Sequence, residues 1–176
     1  MAKKTTTTKA TTTSAAAGSV TLTGFPPLVG KNPTTLILGE FPGDCSLYIG
    51  EYYANPSNSF RDIIADKYGH QKPISYPNLK KCLDAHQIAL WDVYETRTIN
   101  GNVVTNTPNN IAAFLKNYPT ICKIIFNGRK AEGEFKKMRI PFTGCAVYAP
   151  STSGRNYKKG SKSYLTKLAA WQQVLP

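Results

Sequence analysis

Thr34-Thr35-Leu36-Ile37-Leu38-Gly39-Glu40-Phe41-Pro42-Gly43 is the stretch on which the fold turns. Thr34–Leu38 is a short β-branched, apolar run without polar alternation, the pattern of a strand buried on both faces, and Gly39 and Pro42 end it. Working outward, a similar run returns at Ile88–Val93, at Ile121–Phe126 before Asn127-Gly128, and more briefly at Ala146–Tyr148. Helical spacing fills the intervals. Phe60, Ile63, Ile64 and Tyr68 share one face, with Gly69 as C-cap. Pro77 to His86 turns Leu79, Cys82 and Leu83 inward, and Asn109 or Asn110 caps a helix that runs to about Asn117 and stops at Pro119. Arg129 to Met138 is helical, and a final helix from about Ser163 is expected to bury Leu165, Leu168 and Trp171. Strands alternating with helices predict an α/β fold, a three-layer α/β/α sandwich around a central, mainly parallel four-stranded sheet. In such sheets ligands bind beyond the carboxyl ends of the strands, where the strand order reverses.

The chain has 176 residues, of which 41% are hydrophobic, enough for one domain with a real core. Lys and Arg number 22 against 10 Asp and Glu, a formal charge of +12. Self-repulsion on that scale points to a polyanionic partner, with DNA or RNA fitting best, an anionic membrane surface second, and solubility alone as the plain alternative. Cys45, Cys82, Cys122 and Cys145 form no C-x-x-C pair, so their spacing indicates neither a zinc site nor a secreted disulfide scaffold. Cys82 and Cys122 sit among apolar residues and read as buried small hydrophobes. No run is long enough to span a bilayer and no secretion signal is evident, so the expected location is intracellular, cytoplasmic or nuclear. Residues 1–19 form a Thr/Ala/Lys tail whose composition predicts disorder, followed by one domain over 20–176. Lys3, Lys4 and Lys9 suit loose phosphate contact; a targeting role or plain solubilisation are the other readings of the tail.

Two loops leave strand ends and carry unusual chemistry. The first runs from Gly39-Glu40-Phe41-Pro42-Gly43 to Tyr52-Tyr53-Ala54-Asn55-Pro56-Ser57-Asn58-Ser59-Phe60. Glycine and proline at a strand exit permit close backbone approach to a planar ligand or a phosphate. Periodicity alone makes Asn58 an N-cap for the following helix, and Tyr52 and Tyr53 core or rim aromatics. The second loop, Pro150-Ser151-Thr152-Ser153-Gly154-Arg155-Asn156-Tyr157 with Lys158, Lys159 and Lys162, offers hydroxyls, amides and counter-charge for a phosphate backbone. A merely soluble loop has the same composition.

The run L-I-L-G-E-F-P-G-D-C-S-L, followed by Y-Y-A-N-P-S-N-S-F, resembles the first motif of the hypoxanthine-DNA glycosylase family of the uracil-DNA glycosylase superfamily. Leu90-Trp91-Asp92-Val93 and Ile124-Ile125-Phe126-Asn127-Gly128 are similar to that family's middle strands, and Pro150-Ser151-Thr152-Ser153 through Asn156 to its second motif, in the family's order from about Phe25 to the C-terminus. The resemblance implies a uracil-DNA glycosylase-like fold and excision of a deaminated base from DNA by a monomer, without metal or other cofactor. It makes Asn58 the catalytic residue and Tyr53 the aromatic that stacks on the flipped base, with Phe41, Gly43 and Phe60 lining the substrate site. Ser151, Thr152, Ser153, Arg155, Asn156 and Lys158 become DNA contacts, and Arg155 or Tyr157 the side chain that fills the gap in the base stack.

Breaking a base–sugar bond builds positive charge on the sugar and negative charge on the base. Asn58 can donate to the base from its NH2 and orient water with its carbonyl, while the backbone from Glu40 to Gly43 holds the base oxygen. Glu40 is the second candidate catalyst, since an iron–sulfur branch of the superfamily carries Glu at a similar turn; the cysteines here lack that branch's cluster pattern. Asp92 either orients the first loop or plays a structural part, and His70 and His86 lie outside both loops. No lysine is placed for Schiff-base chemistry, so excision without strand cleavage is expected. The chain departs from the family at Gly154-Arg155, usually Pro-Ala, at Arg61, usually Trp, and at Glu40, often a small residue; these bear on the wedge, the pocket lining and the preferred base. Hypoxanthine comes first among substrates, then uracil. A non-catalytic DNA-binding module of the same fold and an α/β enzyme acting on free nucleosides are the rival functions.

Overall fold

A computed structural model describes residues 18–154 and 163–176. Its centre is a four-stranded, all-parallel sheet in the order β3-β2-β6-β7, built from β2 (Thr35–Gly39), β3 (Ile88–Asp92), β6 (Lys123–Asn127) and β7 (Cys145–Ala149). β2 is buried along its whole length, as its unbroken apolar pattern predicts. Alternate residues feed two cores. Ile37, Leu90 and Ile125 face α2 (Phe60–Tyr68), α3 (Tyr76–Ala85) and α6 (Tyr164–Val174), whereas Leu36, Leu38, Ala89 and Phe126 face α4 (Ile111–Asn117) and α5 (Arg129–Lys137). The three-layer sandwich follows.

Asn110 caps α4, its side chain accepting from the Ala113 N–H at 3.0 Å, and Gly69 closes α2 at φ 71°. Two burial expectations give way. Leu165 is 73% exposed, because α6 begins at Tyr164 and the inward stripe runs through Lys167, Leu168 and Trp171. Cys122 is exposed because it precedes β6, at the edge where the strand enters the sheet; Cys82 is buried as expected.

A second sheet, order β1-β4-β5, goes beyond the sequence reading. It comprises β1 (Ser19–Thr23), β4 (Tyr94–Asn100) and β5 (Val103–Pro108), all antiparallel. β1 also starts inside the segment assigned to the tail. Its signals were local: Thr at alternate positions (Thr21 and Thr23, Thr96 and Thr98, Thr105 and Thr107), and Asn100-Gly101 at a hairpin turn where Gly101 adopts φ 56°. A short helix α1 (Asp44–Ile49) in the first loop was likewise unread. No helix among the described residues is long and apolar enough to cross a membrane.

Candidate active site

The carboxyl ends of β2, β3 and β6 lie level. Gly39 is registered with Asp92, and Leu38 with Phe126, which sets Asn127 beside Gly39. By strand alternation all three turn toward the core that holds Phe60 and Tyr52. Both loops emerge above this row, and they meet. The Ser59 N–H donates to the Thr152 carbonyl at 3.0 Å, and the Ser59 hydroxyl to the same oxygen at 3.3 Å. A Cβ on Gly154 would lie 2.3 Å from the Ser57 Oγ, so glycine permits the contact between the loops.

Asn127 joins the parts. Its Nδ2 donates to the Tyr53 hydroxyl at 3.0 Å and to the Thr152 Oγ1 at 2.9 Å, and its Oδ1 accepts from the Thr152 N–H at 2.9 Å. The sequence reading noted Asn127 only as the end of a strand; an amide side chain closing the most apolar run of the chain was the available signal. Gly128 follows at φ 100°, and a Cβ there would stand 2.8 Å from the Ser151 Cβ.

Tyr53 stacks on Phe60 at 4.1 Å and 27°, and Phe60 packs edge-on to Trp171 at 5.8 Å. Tyr53 has φ 53°, a conformation that costs a non-glycine residue roughly 1 kcal/mol or more. Its neighbours hold it there. Arg61 donates to the Tyr52 carbonyl from Nε at 3.1 Å and Nη2 at 2.8 Å, and the Ala54 N–H donates to the Ser46 Oγ at 3.1 Å. Arg61, one of the departures noted above, is thus a brace for the aromatic pair, itself paired with Glu51 at 2.7 Å. Tyr52 is a core residue, donating to the Phe25 and Pro26 carbonyls. Burial and the nearby Asp92 carboxyl push both phenols above their usual range.

Asn58 is half-buried at the start of α2, and its Oδ1 accepts from the Phe60 N–H at 3.0 Å. Ser59, not Asn58, is the N-cap residue, but Asn58 still satisfies a free amide of the first turn. That bond fixes which end of the amide is oxygen and leaves Nδ2 unengaged by any described residue. Glu40 is differently placed. Its Oε1 accepts from the Arg97 Nη2 at 3.0 Å and faces the Lys130 Nζ at 3.5 Å. Phe41 lies under the Arg97 guanidinium at 4.7 Å, and Gly43 is the exposed residue that opens α1.

Two expected contacts take other places. Phe60 has no exposed surface, so it reaches a base only by backing Tyr53. Thr152 is also fully buried; its polar groups serve Asn127 and Ser59 and cannot hold a phosphate directly. Ser151 and Ser153 remain half-exposed on the rim. Arg155, Asn156, Tyr157 and Lys158 lie outside the described residues. No group of three or more His, Cys, Asp and Glu placed to hold a metal occurs among the described residues.

The sequence profile described as the uracil DNA glycosylase superfamily matches residues 26–175, which contain both loops and the whole parallel sheet. The chain belongs to the uracil DNA glycosylase superfamily. Within it, the chain is 35% identical over 156 residues to the hypoxanthine DNA glycosylase of Methanosarcina barkeri (strain Fusaro / DSM 804), covering 86% of this chain and 96% of the relative. The hypoxanthine DNA glycosylase of Methanosarcina acetivorans is 31% identical with the same coverage. The solution NMR structure of a uracil DNA glycosylase candidate from M. acetivorans superposes with a TM-score of 0.74 at 28% identity, over 89% of this chain and 97% of that one. This superfamily member carries its level row of Gly39, Asp92 and Asn127 at the strand ends where α/β sheets place ligands.

Proposed function

We propose that the chain is a monofunctional DNA glycosylase. It flips a deaminated base out of DNA, hypoxanthine in preference to uracil, and hydrolyses the N-glycosidic bond as a monomer acting inside the cell. The observation that carries the reading is the Asn58 amide beside the junction of the two loops, its Oδ1 held by the Phe60 N–H and its Nδ2 unengaged by any described residue. A donor fixed before the reaction stabilises the charge that develops on the leaving base without reorganising. The Asn58 carbonyl keeps one lone pair for the water that attacks the sugar. Tyr53, backed by Phe60, stacks on the extruded base, a contact worth ~1–3 kcal/mol. Phe41 and the backbone from Glu40 to Gly43 close the first-loop side. Ser151 and Ser153 hold phosphates, Thr152 sets their position through Asn127, and Arg155, Asn156 and Lys158 continue the DNA contact. Glu40 stays second to Asn58 as catalyst, because two cations already engage its oxygen.

Single-turnover excision from a deoxyinosine duplex tests this. Asn58→Ala is expected to lower the rate about 100-fold or more, the scale for one lost donor to a developing anion. Glu40→Ala is expected to stay within about tenfold of the parent, as a residue outside the chemistry does. Full activity in Asn58→Ala would remove Asn58 from the reaction.

A further inference from the structure

β4 continues β3 instead of turning aside from the parallel sheet. The Val93 and Tyr94 N–H groups between them still donate to the Gly39 and Glu40 carbonyls, at 2.9 and 3.1 Å. One partner segment also accompanies both strands. Leu28 bridges Leu90, the Gly24 N–H donates to the Glu95 carbonyl at 2.7 Å, and Thr23 to Ser19 pair with Thr96 to Asn100. This shared ladder carries β4 past the carboxyl ends of the parallel strands, and a strand from Tyr94 to Asn100 advances about 20 Å. β1, β4 and β5 therefore form an arm beyond the edge on which the site lies. In the order β3-β2-β6-β7 the arm rises at one end and the second loop, after β7, at the other, three strand spacings or about 14 Å away. Gly39 and Asn127 lie between them.

The two faces of the arm differ. Thr21, Thr98 and Thr105 form a row on one, and Val20, Ile99 and Val104 on the other. Residues two apart on a strand share a face, so the apolar row lies on the side of Arg97, which is bound to Glu40 and stacked on Phe41 of the first loop. It is thus turned to the site side, one step beyond the first loop. Val20 is 51% and Val104 53% exposed. Arg97 is the one cation of the three strands, and Glu40 and Asn106 hold it. Exposed Asn102 completes the tip beside Gly101.

We propose that this arm is a second DNA-contacting element, its Val20–Ile99–Val104 row and Asn102 lying in the minor groove of the duplex beside the extruded nucleotide, across from the second loop. The proposal rests on the glycosylase reading, which lays the duplex over the strand ends. Apolar side chains next to an amide donor match a groove of sugar walls and base acceptors. A charge of +12 favours that polyanion over a second copy of the chain as occupant. Because the arm brings no uncommitted cation, its contribution to affinity should be independent of salt.

Fluorescence anisotropy over a range of salt, on a deoxyinosine duplex and on the same strand alone, tests the assignment. The double variant Val20→Ser/Val104→Ser is expected to bind the duplex about tenfold more weakly, from lost apolar contact. Asn102→Ala should lose about fivefold, as for one hydrogen bond. In both, the salt slope, single-strand affinity and excision rate at saturating protein should match the parent, and Thr105→Ser on the opposite face should bind as the parent does. Unchanged duplex affinity, an equal loss on the single strand, or an equal loss in Thr105→Ser overturns the proposal. So does a parent dimer, seen by sedimentation, that the double variant dissociates. Should the double variant fail to fold, Asn102→Ala decides alone. A parent that binds the duplex but releases no base overturns the glycosylase reading instead, a result the binding comparison does not share.

Discussion

Tyr53 and Asp92 are two residues of the site whose conformation or burial carries a cost. Tyr53 occupies left-handed backbone space and is held there by Arg61, Ser46 and Asn127. Asp92 carries a different cost, a carboxyl buried to 4% exposure. Its folded-state pKa is about 7 against an ordinary 3.8, so the native state binds the proton more tightly than the unfolded chain does. The stabilisation from that proton is complete below about pH 4 and is lost as the pH rises through about 7. Asp92→Asn is therefore expected to raise stability at pH 8, by on the order of 2–4 kcal/mol, and to change it little at pH 4; urea melts at the two pH values measure the difference. Equal effects at both would place the ionisation elsewhere. A site residue that weakens the fold in the working pH range is the pattern expected of function held against stability.

At the scale of elements, the site depends on two loops kept in contact by small residues. α2 carries Asn58 and Ser59 at its start, β6 ends in Asn127, and the second loop closes over both through Thr152. Gly154 allows the closest approach, since any Cβ would stand within 2.6 Å of the Ser57 carbonyl oxygen. Gly154→Ala is expected to part the loops and lower excision about tenfold or more, because displacement of a reacting group by 1 Å is that costly, with the thermal midpoint within a few degrees of the parent. A rate equal to the parent would show the loops free to shift without consequence. The Arg97–Glu40–Lys130 ion pairs tie the added hairpin and α5 to the first loop. Those side chains are partly or largely exposed, so their contribution is to position the loop more than to stabilise the fold.

At the scale of the whole molecule, a charge of +12 makes DNA affinity depend on salt. The logarithm of affinity should fall with the logarithm of salt, with a slope of about 0.9 per phosphate neutralised. Removing residues 1–17 deletes Lys3, Lys4 and Lys9, so the slope should drop by no more than about 3 while single-turnover excision is unchanged; fluorescence anisotropy against salt measures it. A larger loss would give the tail a part in recognition. The sequence by itself determined the parallel sheet, its two helical layers and the two loops, because strands buried on both faces and helices buried on one leave periodicities of burial that one dimension preserves. It left the antiparallel sheet unread, since β1 pairs with β4 across more than 70 residues and its half-exposed Thr-rich strands carry little apolar pattern. Motif resemblance named Asn58 and Tyr53. Only the tertiary structure set Asn127 and Asp92 on either side of Gly39, turned Phe60 and Thr152 into buried supports, and left one carboxyl oxygen without a partner among the described residues. Register between strands distant in the chain decides which side chains share a face and a level, and no local run of residues encodes it.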